Sequence, residues 1–139
     1  MDKKASELMG ESVIAGVTLE AKKSIIKTVA FGLGGIGGEV LADIAVKPAS
    51  TPGDHEGIHY AAVGSTKVGF FSMKRGLLKP SLDKLLVEHS RNDVQAVEIK
   101  KGVMPAVNFV FRDGTNYVLM CARINLGKLK KVRELLVTK

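Results

Sequence analysis

A chain of 139 residues and 14.9 kDa, 45% hydrophobic and 25% charged, has the size and balance of one globular domain, large enough to bury a core without disulfides or a structural metal. Its single cysteine, Cys121, excludes an internal disulfide and, set in an apolar run, reads as a small buried hydrophobe. The net charge of +7 leaves nucleic acid, an anionic membrane surface and an acidic protein as partner classes. No run of five like charges exists, so the lysines and arginines read mainly as a solvated surface. The first residues, "MDKKASELMGES", contain no apolar signal core, and a cytoplasmic location is expected.

Residues 1–50 are rich in Ala, Gly, Val and Ile and read mostly as helix. "KKASELMGE" suits a short helix, "SVIAGVTLE" fits strand or helix, and "KSIIKTVAFGLGGIGGEVLADIAVK" is better as a helix that Pro48 stops. This glycine-rich stretch contains a formal G-x-G-x-x-G at Gly32, Gly34 and Gly37. A dinucleotide site would hold a pyrophosphate at a helix N-terminus, but it needs further βαβ units, and the rest of the chain supplies hairpins. Asp54, at about the right distance downstream for a ribose contact, falls in a Pro/Gly loop, so no cofactor is expected. Ala30, Gly34, Gly38 and Ala42 recur every fourth residue and would form a smooth helical ridge, a candidate packing seam within the chain, between subunits or on lipid. Each interior glycine costs a helix about 1 kcal/mol against alanine, and close packing along such a seam would offset that. The uncharged run from Thr28 to Gly38 is about half a bilayer-spanning length, so no membrane span is expected.

"KPASTPGDHEG" then carries two prolines and two glycines, and residues 51–56 read as a linker. The formal H-E-x-x-H at His55, Glu56 and His59 binds zinc only when a helix places both imidazoles on one face. Here Gly57 interrupts the motif and "HYAAVG" opens a strand. An extended chain would hold the two histidines about 13 Å apart, as loop and strand-end residues, so no metal is expected.

From residue 57 the pattern turns to period two. "IHYAAVG" and "KVGFFSMK" flank a Gly64-Ser65 turn. "LLVEHSR" and "VQAVEIKKG" flank Asn92-Asp93, and "AVNFVFR" and "TNYVLMCA" flank Asp113-Gly114. Asp-Gly predicts a two-residue hairpin turn. Val107, Phe109, Phe111, Val118 and Met120 would then share one face, with Val110, Tyr117, Leu119 and Cys121 on the other. The loop "SMKRGLLKPSLDK" gathers Lys74, Arg75 and Lys79, a candidate contact for anions or lipid headgroups. In "NLGKLKKVRELLVTK", Leu126, Leu129, Val132, Leu135 and Leu136 form a helical stripe, with Asn125 as N-cap. No nucleophile elbow or cysteine–histidine signature is present. Most of the seven aromatics sit in predicted strands rather than on a stacking surface, so nucleic acid is not the expected partner.

"HYAAVGSTKVGFFSMKRG", "SRNDVQAVEIKKG", "VNFVFRDGTNYVL" and the closing helix resemble bacterial pleckstrin-homology-like (PH-like) domain proteins over about residues 57–137. The resemblance implies an α+β fold: a PH-like antiparallel barrel or sandwich with a C-terminal amphipathic helix, here after a helical, glycine-rich N-terminal region. The chain then divides into residues 1–50, the linker 51–56 and the barrel 57–139. It also implies a non-catalytic interaction module that forms homo-oligomers. The alternatives are a peripheral protein on the anionic inner membrane face and, less well supported, a nucleotide- or metal-dependent enzyme.

Overall fold

A computed structural model describes residues 2–22, 49–74, 81–100, 102 and 104–137. Helix α1 (Asp2–Met9) leads into strand β1 (Val13–Ala21). Then follow β2 (Gly57–Gly64), β3 (Lys67–Lys74), β4 (Ser81–Ser90), β5 (Val94–Lys100), β6 (Ala106–Phe111), β7 (Asn116–Met120) and the closing helix α2 (Leu126–Val137). The seven strands form one antiparallel sheet in the order β4-β3-β2-β1-β7-β6-β5.

The stretch "SVIAGVTLE" is resolved as strand. Its alternation decides this: Ala15, Val17, Leu19 and Ala21 face the core while Ile14, Gly16, Thr18 and Glu20 face away. β1 pairs with β2 along its length and with β7 at Glu20–Met120, so the sheet begins at Val13 rather than at residue 57. The region read mostly as helix thus contributes a central strand.

The sheet folds over on itself at the β1–β7 junction. Phe70 on β3 meets Phe109 on β6 and Tyr117 on β7 at 5.2 Å each, so the inner faces of the two halves touch edge to face. β4 and β5 were expected to form a hairpin. They form no ladder with each other; a short 3-10 turn, Arg91–Asp93, carries the chain around the corner between the halves. α2 crosses the open side against β1, β2 and β5 and buries Leu129, Val132 and Leu136 fully, as its stripe predicted. Each such side chain contributes about 1.5–3 kcal/mol of transfer free energy.

α1 covers the outer face of the β1–β4 half. Ala5 and Met9 pack with Tyr60, Ala62, Phe71 and Leu82 in a second cluster. Gly10, at φ +75°, ends the helix with its amide on Ser6 O at 2.9 Å. The Ser6 hydroxyl in turn accepts from the Val13 amide at 2.9 Å, so the helix end sets where β1 starts.

The β6–β7 hairpin differs from the expected register by one residue. Phe111 N donates to Thr115 O at 2.8 Å, and Gly114 takes φ +92°. The loop therefore has three residues, 112–114, ending in a left-handed glycine. The Asp113 carboxylate accepts from Thr115 N at 2.8 Å, and Arg112 N donates to Asp93 O at 2.8 Å, which ties the loop to the corner. A one-residue slip exchanges the faces. Tyr117, Leu119 and Cys121 join Val107, Phe109 and Phe111 in the core, while Val118 and Met120 turn to the other side. The β2–β3 turn also moves by one, to Ser65 and Thr66.

Candidate functional site

Of the residues singled out from the sequence, Lys74 is exposed at the end of β3. Arg75 and Lys79 lie outside the described residues, as do the glycine motif and the seam of Ala30, Gly34, Gly38 and Ala42. The site with the most distinctive chemistry is instead one end of the barrel.

There the last residues of β1, the first of β2, the connection between β5 and β6, and the turn before α2 converge. A cleft of about 150 Å³ opens between Glu20, Ile58, Met104, Met120, Ala122 and Asn125. Ile58 is 40% exposed, Met104 48% and Ile124 89%. Their positions follow from local rules. Ile58 sits opposite Glu20 on the outer face of the β1–β2 ladder. Ile124 lies in the 3-10 turn Arg123–Asn125, ahead of the helical stripe that would have buried it. Arg123 donates to Gly102 O at 3.2 Å and so braces the loop that presents Met104. Lys22 pairs with Glu20 at 3.6 Å on the surface, where such a bridge adds little stability. Apolar side chains thus line a shallow cleft, with charged groups at its rim.

The histidine pair adjoins it. Residues 52–54 form a 3-10 turn with Gly53 at φ +61°, and Gly57 takes φ +114°. The chain therefore doubles back instead of running extended, and the His55 and His59 rings meet at 5.4 Å between centroids, far closer than 13 Å. His59 is not an exposed strand end. It shares the inward face with Ala61 and Val63 and is 0% exposed. Its Nδ1 lies 3.0 Å from Gly57 O, while its Nε2 is buried without a hydrogen-bond partner among the described residues. Burial lowers its pKa; the Gly57 and Pro52 carbonyls oppose this, and the charge of His55 adds to it. No helix carries the H-E-x-x-H residues, and no group of three His, Cys, Asp or Glu side chains converges as a metal site would among the described residues.

The opposite end is built from paired polar groups. One arm of the Arg91 guanidinium donates to Gly64 O at 3.0 Å and Ser65 O at 3.1 Å, and the other reaches Leu135 O near the end of α2. Glu11 closes the β2–β3 turn by accepting from the Ser65 and Thr66 hydroxyls and from the amides of Thr66 at 2.7 Å and Lys67 at 3.3 Å. Desolvation pushes this carboxyl upward, but those hydrogen bonds outweigh it and hold its pKa below the ordinary value. His89 stacks on Phe111 at 4.0 Å and its Nε2 lies 2.9 Å from the Tyr117 hydroxyl. Burial lowers the His89 pKa and raises those of Tyr117 and Cys121. A neutral imidazole on a protonated phenol satisfies two core groups, and the protonated Cys121 thiol is a poor nucleophile.

Sequence reasoning missed Ile124 and took His59 for a loop or strand-end residue, and each had a signal. Ile124 stands outside the stripe of α2, and His59 has the parity of Ala61 and Val63. Arg91 and Glu11 gave none, because their partners, backbone groups and the Ser65 and Thr66 hydroxyls, lie 26 to 56 residues away. No protein-family model matches the chain, and no curated protein or solved structure matches it either.

Proposed function

We propose that this chain is a non-catalytic interaction module built on a PH-like barrel, and that it assembles with further copies of itself. Four strands facing three, a corner turn between them and a terminal helix across the open side support the PH-like reading. The observation that carries the interaction reading is the barrel end where the exposed Ile58 and Met104 line one apolar cleft, with the exposed Ile124 in the 3-10 turn that also supplies its Asn125. Single exposed hydrophobics are ordinary, but a group of them at one site marks a contact surface. Helix α1, ahead of Val13, covers one outer face of the sheet and offers further contact area in this proposal. Light scattering from low to high micromolar protein tests it. A mass rising above the 14.9 kDa of one chain is expected. A single chain at every concentration would remove self-assembly.

A second reading, peripheral attachment to an anionic membrane surface in the cytoplasm, is favoured by the exposed cations Lys22, Lys74, Lys100 and Arg123. No helix among the described residues is long and apolar enough to cross a membrane. Each cation near an anionic surface adds about 1 kcal/mol, weakened by salt. Co-sedimentation with anionic but not neutral liposomes, lost at high salt, would support this reading. Equal binding to both would point to apolar insertion instead, and no binding would remove it.

A further inference from the structure

We infer that His59 is a proton-sensitive latch: while neutral it holds the turn between Thr51 and Gly57 against the start of β2, and protonation of its ring releases that end of the barrel. The inference is independent of self-assembly and begins with the tautomer. A carbonyl only accepts, so the ring nitrogen 3.0 Å from Gly57 O is the one that carries the hydrogen. The neutral ring therefore leaves its lone pair on Nε2, which is buried and has no partner among the described residues. An unpaired acceptor is tolerable there. An added N–H bearing a full charge, in the same buried place, is far less so.

The surroundings give that charge little relief. From β1 the cross-strand neighbour is Leu19, and from β3 it is Ser72. Asp83 on β4 lies one step further, 3.5 Å from the Ser72 hydroxyl. Asp54 and Glu56 of the turn are exposed. Among the described residues, His55 acts on His59 through its charge, repulsively, and the Pro52 carbonyl offers partial compensation. The ring touches two pieces of backbone: the first residue of its own strand through Gly57 O, and the 3-10 turn through the Pro52 carbonyl and the His55 ring. Gly57 stands in the last rung of the β1–β2 ladder, opposite Ala21. The turn has Gly53 and Asp54 both at positive φ. When the ring leaves, its bond to Gly57 O goes with it.

The direction with pH follows from linkage. The folded pKa lies below the unfolded value of about 6.5, so in that interval the unfolded or opened chain binds more protons. The stabilisation is complete above about 6.5 and is lost as pH falls from there through the folded value. His89 is shifted in the same direction, so global stability alone does not separate the two. Local opening does.

The test is amide hydrogen exchange with imidazole NMR on the full chain between pH 8 and 5. In the wild type, opening at Ile58, His59 and Tyr60, corrected for intrinsic exchange, should rise up to about tenfold per pH unit below 6.5, as for one linked proton. Exchange around Leu119, in the core, reports global unfolding and so carries the His89 shift as well, persisting in His59→Leu. His59→Leu should abolish the pH dependence at residues 58–60. Should that variant fail to fold, His55→Ala supplies the answer, because removing the repulsion should raise the His59 midpoint while the barrel stays intact. A His59 midpoint at or above that of a free imidazole would overturn the latch. So would an unchanged midpoint in His55→Ala, or pH-dependent opening at residues 58–60 that survives in His59→Leu.

Discussion

Where β2 turns into β3, one arginine serves three carbonyls and one glutamate receives hydrogen bonds from the Ser65–Lys67 turn. At the other end of the same strands, the His59 Nε2 and Thr51 Oγ1 atoms are buried without partners among the described residues, and Ile58, Met104 and Ile124 face outward. Both ends share one core, so the difference is not one of packing quality. It shows that a barrel can concentrate its polar satisfaction at one end and leave the other both apolar outside and polar-deficient inside. Buried polar groups are nearly always satisfied; among the described residues a third exception, Asn108 Oδ1, lies within β6, and the two beside the turn before β2 adjoin the apolar end.

The sharpest break of that comparison removes what the ends share. Phe70→Ala should cost about 3–5 kcal/mol, because Phe70 bridges both halves of the sheet. Urea unfolding with several probes should show one transition shifted as a whole; a loss confined to one end would mean that the core is not common to both. Next in size, Arg91→Ala leaves the Gly64, Ser65 and Leu135 carbonyls without their cation, at a cost of about 2 kcal/mol. The last turn of α2 should then exchange its amides faster, while residues 57–60 keep their protection.

Tyr117→Phe should cost about 1 kcal/mol, since it deletes only the hydroxyl on His89 and leaves the ring against Phe70. Thermal unfolding at pH 8 measures it. Smallest of all, at dilutions that hold the protein as a single chain, Ile124→Ser should stay within about 0.5 kcal/mol of the wild type, because an isoleucine almost wholly in water contributes no burial. A larger loss at higher concentration would mean that the side chain is covered there, which would itself indicate an assembled state.

The well-packed parts were the legible ones. The stripe of α2, the short α1 and the strands from residue 57 onward follow from periodicity, because a buried face leaves its period in the chain. β1 was ambiguous because "SVIAGVTLE" mixes small and β-branched residues, so its alternation is a weak signal until β2 and β7 pair with it on both sides. The β6–β7 register was misjudged because Asp-Gly serves two loop lengths; the tie from Arg112 N to Asp93 O, a tertiary contact, accompanies the longer one. The histidine pair was misplaced because two glycines at positive φ, Gly53 and Gly57, bend a segment that otherwise reads as extended. Of the apolar end nothing was anticipated. Its residues come from four separate stretches of chain, and no local pattern links Ile58 to Ile124.

The central claim is that this end of the barrel is a self-association surface. Sedimentation velocity on the wild type beside a variant with Ile58→Ser, Met104→Ser and Ile124→Ser tests it most directly. The account predicts a wild type heavier than one chain and a folded variant that sediments as a single chain of 14.9 kDa. A variant that keeps the wild-type mass, or a wild type that is already a single chain, would contradict it.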